Sequence, residues 1–194
     1  MTWQTARPQA AQKSQRGFSL VEVLVSVIVL TVGLVALLGV FALAMASTQT
    51  AQQDMIAKQL ASEAMESIIT ARETTAMTWA QVQNQSVDPV NGIFVDGMQS
   101  IYNAGADGIV GTTDDAASGA AVLTLPGKDG IVGTSDDISL PLTGYKRQIQ
   151  IQNVTNGGNV VADLRTVTIT VQYTVPRTSI KKTYILTTYI SQYR

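Results

Sequence analysis

The sequence predicts an α+β protein in which a long N-terminal helix, membrane-spanning in its first half, packs on a C-terminal antiparallel β-sheet. Three observations predict this arrangement. Residues 18–46 are almost entirely apolar, residues 47–73 carry an apolar stripe at helical period, and residues 142–194 alternate apolar and polar side chains at strand period. A loop region rich in Gly and Asp, residues 74–141, lies between helix and sheet, and a polar basic leader, residues 1–17, comes first.

The composition of the chain excludes several kinds of catalytic and metal site. The chain has 194 residues, which suits one ordinary domain with an appendage. It contains no cysteine and no histidine, which excludes disulfides, Cys/His zinc sites and Ser-His-Asp catalysis. The leader holds three basic residues and no acidic one, so the remaining ten basic and fourteen acidic residues make the rest mildly acidic. We therefore expect no nucleic-acid partner, and the absence of a nucleophile motif predicts a protein that is not an enzyme.

The apolar run Phe18–Ala46 contains 29 residues, with Glu22 as its only charge. It is longer than the roughly 20 residues that cross a bilayer as a helix. It also exceeds the core of a cleaved secretory signal, about 7–15 residues, so that alternative fits poorly. Basic residues before the run predict a single pass with the N-terminus in the cytoplasm and the rest exported. A plain signal anchor fits the same length and stays open.

A short motif opens the run, since residues 16–22 read RGFSLVE. This string resembles the cleavage and methylation site of the type IV pilin superfamily. The resemblance implies cleavage by prepilin peptidase between Gly17 and Phe18, N-methylation of Phe18, and a role for Glu22 in assembly. It also implies other pilin subunits and an inner-membrane assembly machinery as partners. The protein would lie in the inner membrane before assembly and in a periplasmic or extracellular filament afterwards.

Glu22 is also unusual on physical grounds. A carboxylate within a bilayer costs at least a few kcal/mol and marks a functional site by default. Glu22 lies four residues after Phe18, on the same face of a helix. Cleavage would create an α-amino group at Phe18 that could pair with Glu22 of its own chain or, as the resemblance implies, of a neighbouring subunit. A glutamate that only reaches the headgroups is the open alternative.

Residues 47–73 continue the helical pattern without proline or glycine. The apolar stripe consists of Ile56, Leu60, Ala64 and Ile68, flanked by Ala57, Ala61, Met65 and Ile69. A helix with one apolar face needs a partner to cover it, and we expect that partner to be the C-terminal sheet.

The loop region contains a repeat. Gly105–Asp115 reads GADGIVGTTDD and Gly127–Asp137 reads GKDGIVGTSDD, identical at nine of eleven positions. The copies hold three aspartates each: Asp107, Asp114 and Asp115 in the first, and Asp129, Asp136 and Asp137 in the second. Because Ca²⁺ takes about six to eight oxygen ligands, the pattern favours calcium binding, with solvated Asp-Gly turns as the alternative.

The spacing fits an EF-hand poorly, because the third position is Gly, the closing acid is Asp, and no flanking helices are predicted. Residues 103–108, NAGADG, look more like the calcium loop of the major pseudopilins of type II secretion. In those proteins the loop lies near the C-terminus, whereas here it precedes the sheet.

The C-terminal residues predict three strands. Tyr145–Val154 and Arg165–Val175 alternate apolar and polar side chains, with a turn over Thr155–Asn159. A second turn, Pro176–Ser179, leads to a last strand, Lys182–Tyr189. This order resembles minor pilins and minor pseudopilins.

Together these features favour a structural subunit of a type IV pilus-like filament. Two alternatives stay open: a type II secretion pseudopilin, and a membrane-anchored exported domain that binds calcium or acts as an adhesin.

Overall fold

The computed structural model describes residues 17–175 and 180–193. Residues 1–16 of the predicted leader and the predicted turn Pro176–Ser179 lie outside the described residues. Contacts divide the chain into two compact units, Met1–Met45 and Ala46–Arg194. The predicted long helix is confirmed as α1, Leu20–Glu73, which contributes residues to both units.

In the first unit, α1 is apolar all round and its side chains are exposed. Among the described residues, it is the one helix whose length and apolar composition allow it to cross a membrane. Its hydroxyl groups bond within the helix: Ser26 Oγ donates to the Glu22 carbonyl at 2.7 Å, and Thr31 Oγ1 to the Val27 carbonyl at 2.7 Å. These polar groups are therefore satisfied without water, as a helix in lipid requires.

The described residues of the second unit form six antiparallel strands. They are β1 (Gln99–Ser100), β2 (Val122–Leu125), β3 (Ile138–Pro141), β4 (Tyr145–Asn156), β5 (Asn159–Thr174) and β6 (Lys181–Ser191). The main sheet has the order β1-β4-β5-β6, and β2 pairs with β3 in a separate two-stranded ribbon. Short 3-10 turns occupy Trp79–Gln81 and Thr113–Ser118. The predicted α+β class is confirmed.

The alternation predicted for the strands now called β4 and β5 is confirmed. The inward side chains are buried at Tyr145, Arg147, Ile149 and Ile151 of β4 and at Val167, Ile169, Val171 and Tyr173 of β5. The strands extend further than predicted, because the turn between β4 and β5 narrows to Gly157 and Gly158. Both glycines have positive φ, 58° and 85°, which permits a two-residue hairpin.

The predicted helix stripe packs into the same core as the inward faces of the sheet. The buried residues of α1 are Ala57, Leu60, Ala61, Ala64, Met65, Ile68 and Ala71. Ile56 is half-buried, and Ile69, predicted to flank the stripe, is exposed. Spacings of three and four residues carry the buried face on to Ala71, which leaves Ile69 at its margin.

Polar contacts hold α1 to the sheet near both ends of this core. The Tyr173 hydroxyl donates to Asp54, and Lys182 Nζ lies 3.5 Å from Asp54 Oδ2. The hydrogen bond from Tyr173 and the charge of Lys182 hold the pKa of Asp54 below its usual range. At the other end, the Arg72 guanidinium donates to the Ser191 carbonyl.

The loop region has more regular structure than the sequence indicates. In addition to β1 and the β2–β3 ribbon, the side chain of Asn84 extends the edge of β4. Asn84 is buried; its Nδ2 donates to the Ile149 carbonyl at 2.9 Å, and its Oδ1 accepts from the Ile151 N–H at 2.7 Å. The Asn84 amide thus makes hydrogen bonds to two backbone groups of β4, on a part of its edge that β1 does not cover.

We predict that Asn84→Ala lowers the free energy of unfolding by about 3 kcal/mol, because it leaves a buried N–H and a buried carbonyl of β4 without partners. The measurement is chemical denaturation of the full-length protein in detergent, followed by near-ultraviolet circular dichroism. Gln83→Ala is the control, because the Gln83 amide is solvent-facing and donates at 3.4 Å to a carbonyl of its own turn. Equal losses in the two variants would contradict this role of Asn84.

Candidate functional sites

The N-terminal site lies at the start of α1. Gly17, Phe18 and Ser19 are exposed and precede the helix, and Glu22 lies in its first turn. The Val23 N–H donates to the Ser19 carbonyl at 3.2 Å, which begins the helical hydrogen bonding directly after Phe18. The backbone therefore places Glu22 in the first turn of α1, five residues beyond Gly17 along the chain.

The first repeat copy forms a tight turn around its own carboxylates. Asp115 is buried; its two oxygens accept from the Gly105 N–H at 2.9 Å and the Gly111 N–H at 2.5 Å. Burial raises the pKa of the Asp115 carboxyl, and the hydrogen bonds from these backbone groups oppose that rise.

The other two aspartates of this copy close the same turn. Asp114 accepts from the Thr112 hydroxyl at 2.6 Å, which lowers the pKa of Asp114, and from the Asp107 N–H at 3.3 Å. Asp107 in turn accepts from the Ile109 N–H at 2.8 Å. One oxygen from each of Asp107, Asp114 and Asp115 lies within 4.8 Å of the others. The structure thus brings the first predicted ligand set together.

Glycines make the turn possible. Gly108 and Gly111 have φ values of 70° and 90°, a left-handed conformation that side chains rarely adopt. A Cβ atom at Gly105 would collide with the carboxylate of Asp114. The repeated glycines are therefore required by the conformation of the turn.

Apolar contacts fix the first copy to the core. Ile109 and Val110 are each 3% exposed. The Val110 N–H donates to Ser67 Oγ of α1 at 3.2 Å.

The guanidinium of the buried Arg147 donates to the Leu60 carbonyl at 3.3 Å. Burial lowers the pKa of Arg147, and the nearby charges of Glu63 and Asp115 oppose that shift.

The second copy has the same turn in a different environment. The Ile131 N–H donates to Asp129 at 2.9 Å, the Gly133 N–H to Asp137 at 2.6 Å, and Thr134 Oγ1 to Asp136 at 2.7 Å. These bonds repeat those of the first copy, position by position. The turn, however, forms the connection between the solvent-exposed strands β2 and β3.

Exposure separates the two copies. Ile131 and Val132 are 61% and 60% exposed, whereas their counterparts in the first copy are buried. Among residues 17–175 and 180–193, the carboxylates of Asp129, Asp136 and Asp137 do not converge as those of the first copy do. The sequence predicts the same environment for both copies, whereas in the structure the first copy is buried and the second is exposed.

We predict that Asp115→Ala lowers the free energy of unfolding by about 2 kcal/mol, because two backbone N–H groups lose a largely buried acceptor. The matched control is Asp137→Ala, at the same position of the exposed copy, with an expected change within about 0.5 kcal/mol. Chemical denaturation of both full-length variants gives the comparison. An equal effect of the two substitutions would show that burial does not distinguish the copies.

Residues 12–38 match the family model of the prokaryotic N-terminal methylation motif. The matched range contains Gly17, Phe18 and Glu22, so the resemblance predicted from residues 16–22 is confirmed. No curated protein and no solved structure matches the chain.

Proposed function

From an N-terminal methylation motif typical of type IV pilin and pseudopilin signals, we propose that this chain is a structural subunit of a type IV pilus-like filament. Prepilin peptidase cleaves it after Gly17 on the cytoplasmic side of the inner membrane. The assembly machinery then takes it from the membrane into a periplasmic or extracellular filament with other pilin subunits. A type II secretion pseudopilus is the alternative filament. The role is structural, with no reaction assigned to the chain.

The methylation motif carries this proposal, and the exposed apolar part of α1 supports it. From Leu20 to Met45 its large side chains are mostly more than half exposed, and the first unit contains nothing that covers them among its described residues. Such a surface requires lipid before assembly, and like helices of neighbouring subunits can replace lipid afterwards. The same surface therefore serves as anchor and as assembly face.

Glu22 can fix the position of a neighbouring subunit along the helix. Cleavage leaves a positive α-amino group at Phe18. The apolar part of α1 that follows contains one carboxylate, that of Glu22. A charge pair in a medium of low dielectric constant is far stronger than one in water. Pairing between the amine of an incoming subunit and Glu22 of its neighbour would set their axial register.

We predict that Glu22→Ala leaves cleavage after Gly17 intact but lowers incorporation into filaments at least about tenfold, as expected when a buried charge loses its partner. Mass spectrometry of the N-terminal peptide measures cleavage and methylation, and the sheared filament fraction measures incorporation. Val23→Ala, one residue further along the same helix, is the control and should assemble normally.

Two outcomes would count against the proposal. Normal incorporation of Glu22→Ala would remove the pairing role of Glu22. An intact N-terminus in the wild-type protein would instead favour a plain signal anchor with an exported domain.

We further propose that the first repeat copy binds Ca²⁺. Its three carboxylates lie close together, with Asp115 buried, Asp114 half-buried and Asp107 exposed, and each keeps lone pairs beyond those used by backbone N–H groups. Carboxylate and carbonyl oxygens are the ligands that Ca²⁺ prefers, and a bound cation would relieve the repulsion between the clustered charges. The second copy, whose carboxylates do not converge, is expected to bind weakly or not at all.

We predict that Ca²⁺ raises the unfolding temperature of the wild-type protein, and that Asp107→Asn abolishes this rise. Asparagine keeps a side-chain oxygen for the Ile109 N–H and removes only the charge. The control is Asp129→Asn, the same change in the second copy, which should keep the full response. Calorimetric titration of full-length protein in detergent gives the binding heat. No heat with the wild type, or equal loss in both variants, would contradict calcium binding by the first copy.

A further inference from the structure

We propose that the second repeat copy docks on the outer face of the β-sheet of a second copy of this chain. We call residues 127–137 the docking loop, and we call the solvent side of β4, β5 and β6 the outer face. The proposal rests on the filament function for its setting, because it describes a contact between the soluble parts of neighbouring subunits.

The first repeat copy shows what this peptide does when it has a partner. In the same conformation, its Ile–Val pair is buried, and its backbone bonds to a hydroxyl of α1. The docking loop presents the same pair, Ile131 and Val132, to solvent at the tip of a projecting ribbon. Exposed apolar side chains on a preorganised turn are what a protein contact requires, since little conformational freedom is lost on binding.

The outer face offers a surface of opposite charge. Its two charged side chains are Lys146 on β4 and Lys181 on β6, and both are exposed. The pairing of the strands places them near one end of the sheet, since Lys146 lies opposite Gln172 and Lys181 opposite Thr174 on β5. Over residues 146–152, 166–174 and 181–189, the outward positions are Lys146, Gln148, Gln150 and Gln152 on β4, Thr166, Thr168, Thr170, Gln172 and Thr174 on β5, and Lys181, Thr183, Ile185, Thr187 and Tyr189 on β6. None of these is acidic.

The outer face also carries apolar side chains that match the tip of the docking loop. Ile185 and Tyr189 on β6 are 59% and 65% exposed, among threonines and glutamines. The docking loop combines an apolar tip with three aspartates and one lysine. Acidic and apolar groups on one surface therefore face basic and apolar groups on the other, which is the complementarity that selects a partner and an orientation.

A contact between the docking loop of one subunit and the outer face of the next joins two different patches. A contact that joins unlike surfaces of identical subunits is heterologous, and it repeats without limit unless it closes into a ring. The docking loop and the outer face belong to the same unit of each chain, so every subunit presents one of each. Such a contact suits an open series of subunits, whereas a pair of identical patches would end at a dimer.

The absence of cysteine permits a direct test. Full-length Ile131→Cys/Ile185→Cys protein is expressed in cells that assemble the filament and is treated with a short bis-maleimide. The expected result is a ladder of dimers, trimers and larger products on a denaturing gel. Each single-cysteine variant should give no ladder, and Val90→Cys/Ile185→Cys is the control, because Val90 is an apolar residue of another loop and is more exposed than Ile131, 89% against 61%.

Charge substitutions test the chemistry of the contact. In the double-cysteine background, Lys146→Glu/Lys181→Glu should reduce the ladder about threefold or more, because both basic groups of the outer face are reversed. Lys146→Arg/Lys181→Arg keeps the charge and should keep the ladder. Denaturation curves of the two variants should match, since both side chains are solvent-facing.

The outcomes separate this proposal from the filament function. A ladder no stronger than that of the Val90→Cys control, in protein that is cleaved and incorporated into filaments, would overturn the docking contact and leave the filament function standing. A ladder from protein that is neither cleaved nor incorporated would support the contact and contradict the filament function. Products that join the docking loop to a different protein, or a ladder unaffected by Lys146→Glu/Lys181→Glu, would also overturn the proposal.

Discussion

The packing of the β-sheet and an alanine-lined face of α1 into one core is the interaction on which the Ala46–Arg194 unit depends. Ala57, Ala61 and Ala64 are fully buried, and the inward side chains of β5 are buried with them in one core. Small side chains on the helix let the larger ones of the sheet fill the space between the layers at high packing density. Each fully buried valine or isoleucine contributes roughly 1.5–3 kcal/mol. Among the described residues, every buried apolar side chain of this unit belongs to this one core.

Polar groups within that core explain how the loops are fixed. Arg147 is buried on the inward side of the sheet and donates to a carbonyl of α1, and the negative charges nearest to it are Glu63 of α1 and, with a smaller effect, Asp115 of the first repeat copy. A buried guanidinium without nearby negative charge would be costly. The first copy therefore contributes apolar packing through Ile109 and Val110 and partial charge compensation through Asp115. The stability of the core and the conformation of this loop are coupled through these three residues.

The sequence was sufficient for features that depend on period and on local chemistry. The inward residues of β4 and β5 follow from alternation, and the apolar run of α1 follows from composition. The role of Asn84 could not be predicted, because its partners on β4 lie 65 and 67 residues further along the chain. The signal that could have drawn attention to it is weak, because Asn84 is one of several amide side chains in a polar loop. The short strands β1, β2 and β3 could not be predicted for a different reason, because two to four residues are too few to show a strand period.

The repeat shows most clearly where prediction from sequence ends. Nine identical positions of eleven predict one conformation, and both copies adopt it, because the hydrogen bonds that define the turn join residues of the turn itself. Burial, in contrast, is decided by what surrounds the turn: Ser67 and Ile149 meet the first copy, and two exposed strands carry the second. A turn that holds its shape without support can be displayed in solvent at little conformational cost. The exposure of Ile131 and Val132 is therefore compatible with a well-ordered loop, and the same eleven-residue pattern serves the core of the unit in one place and a surface in the other.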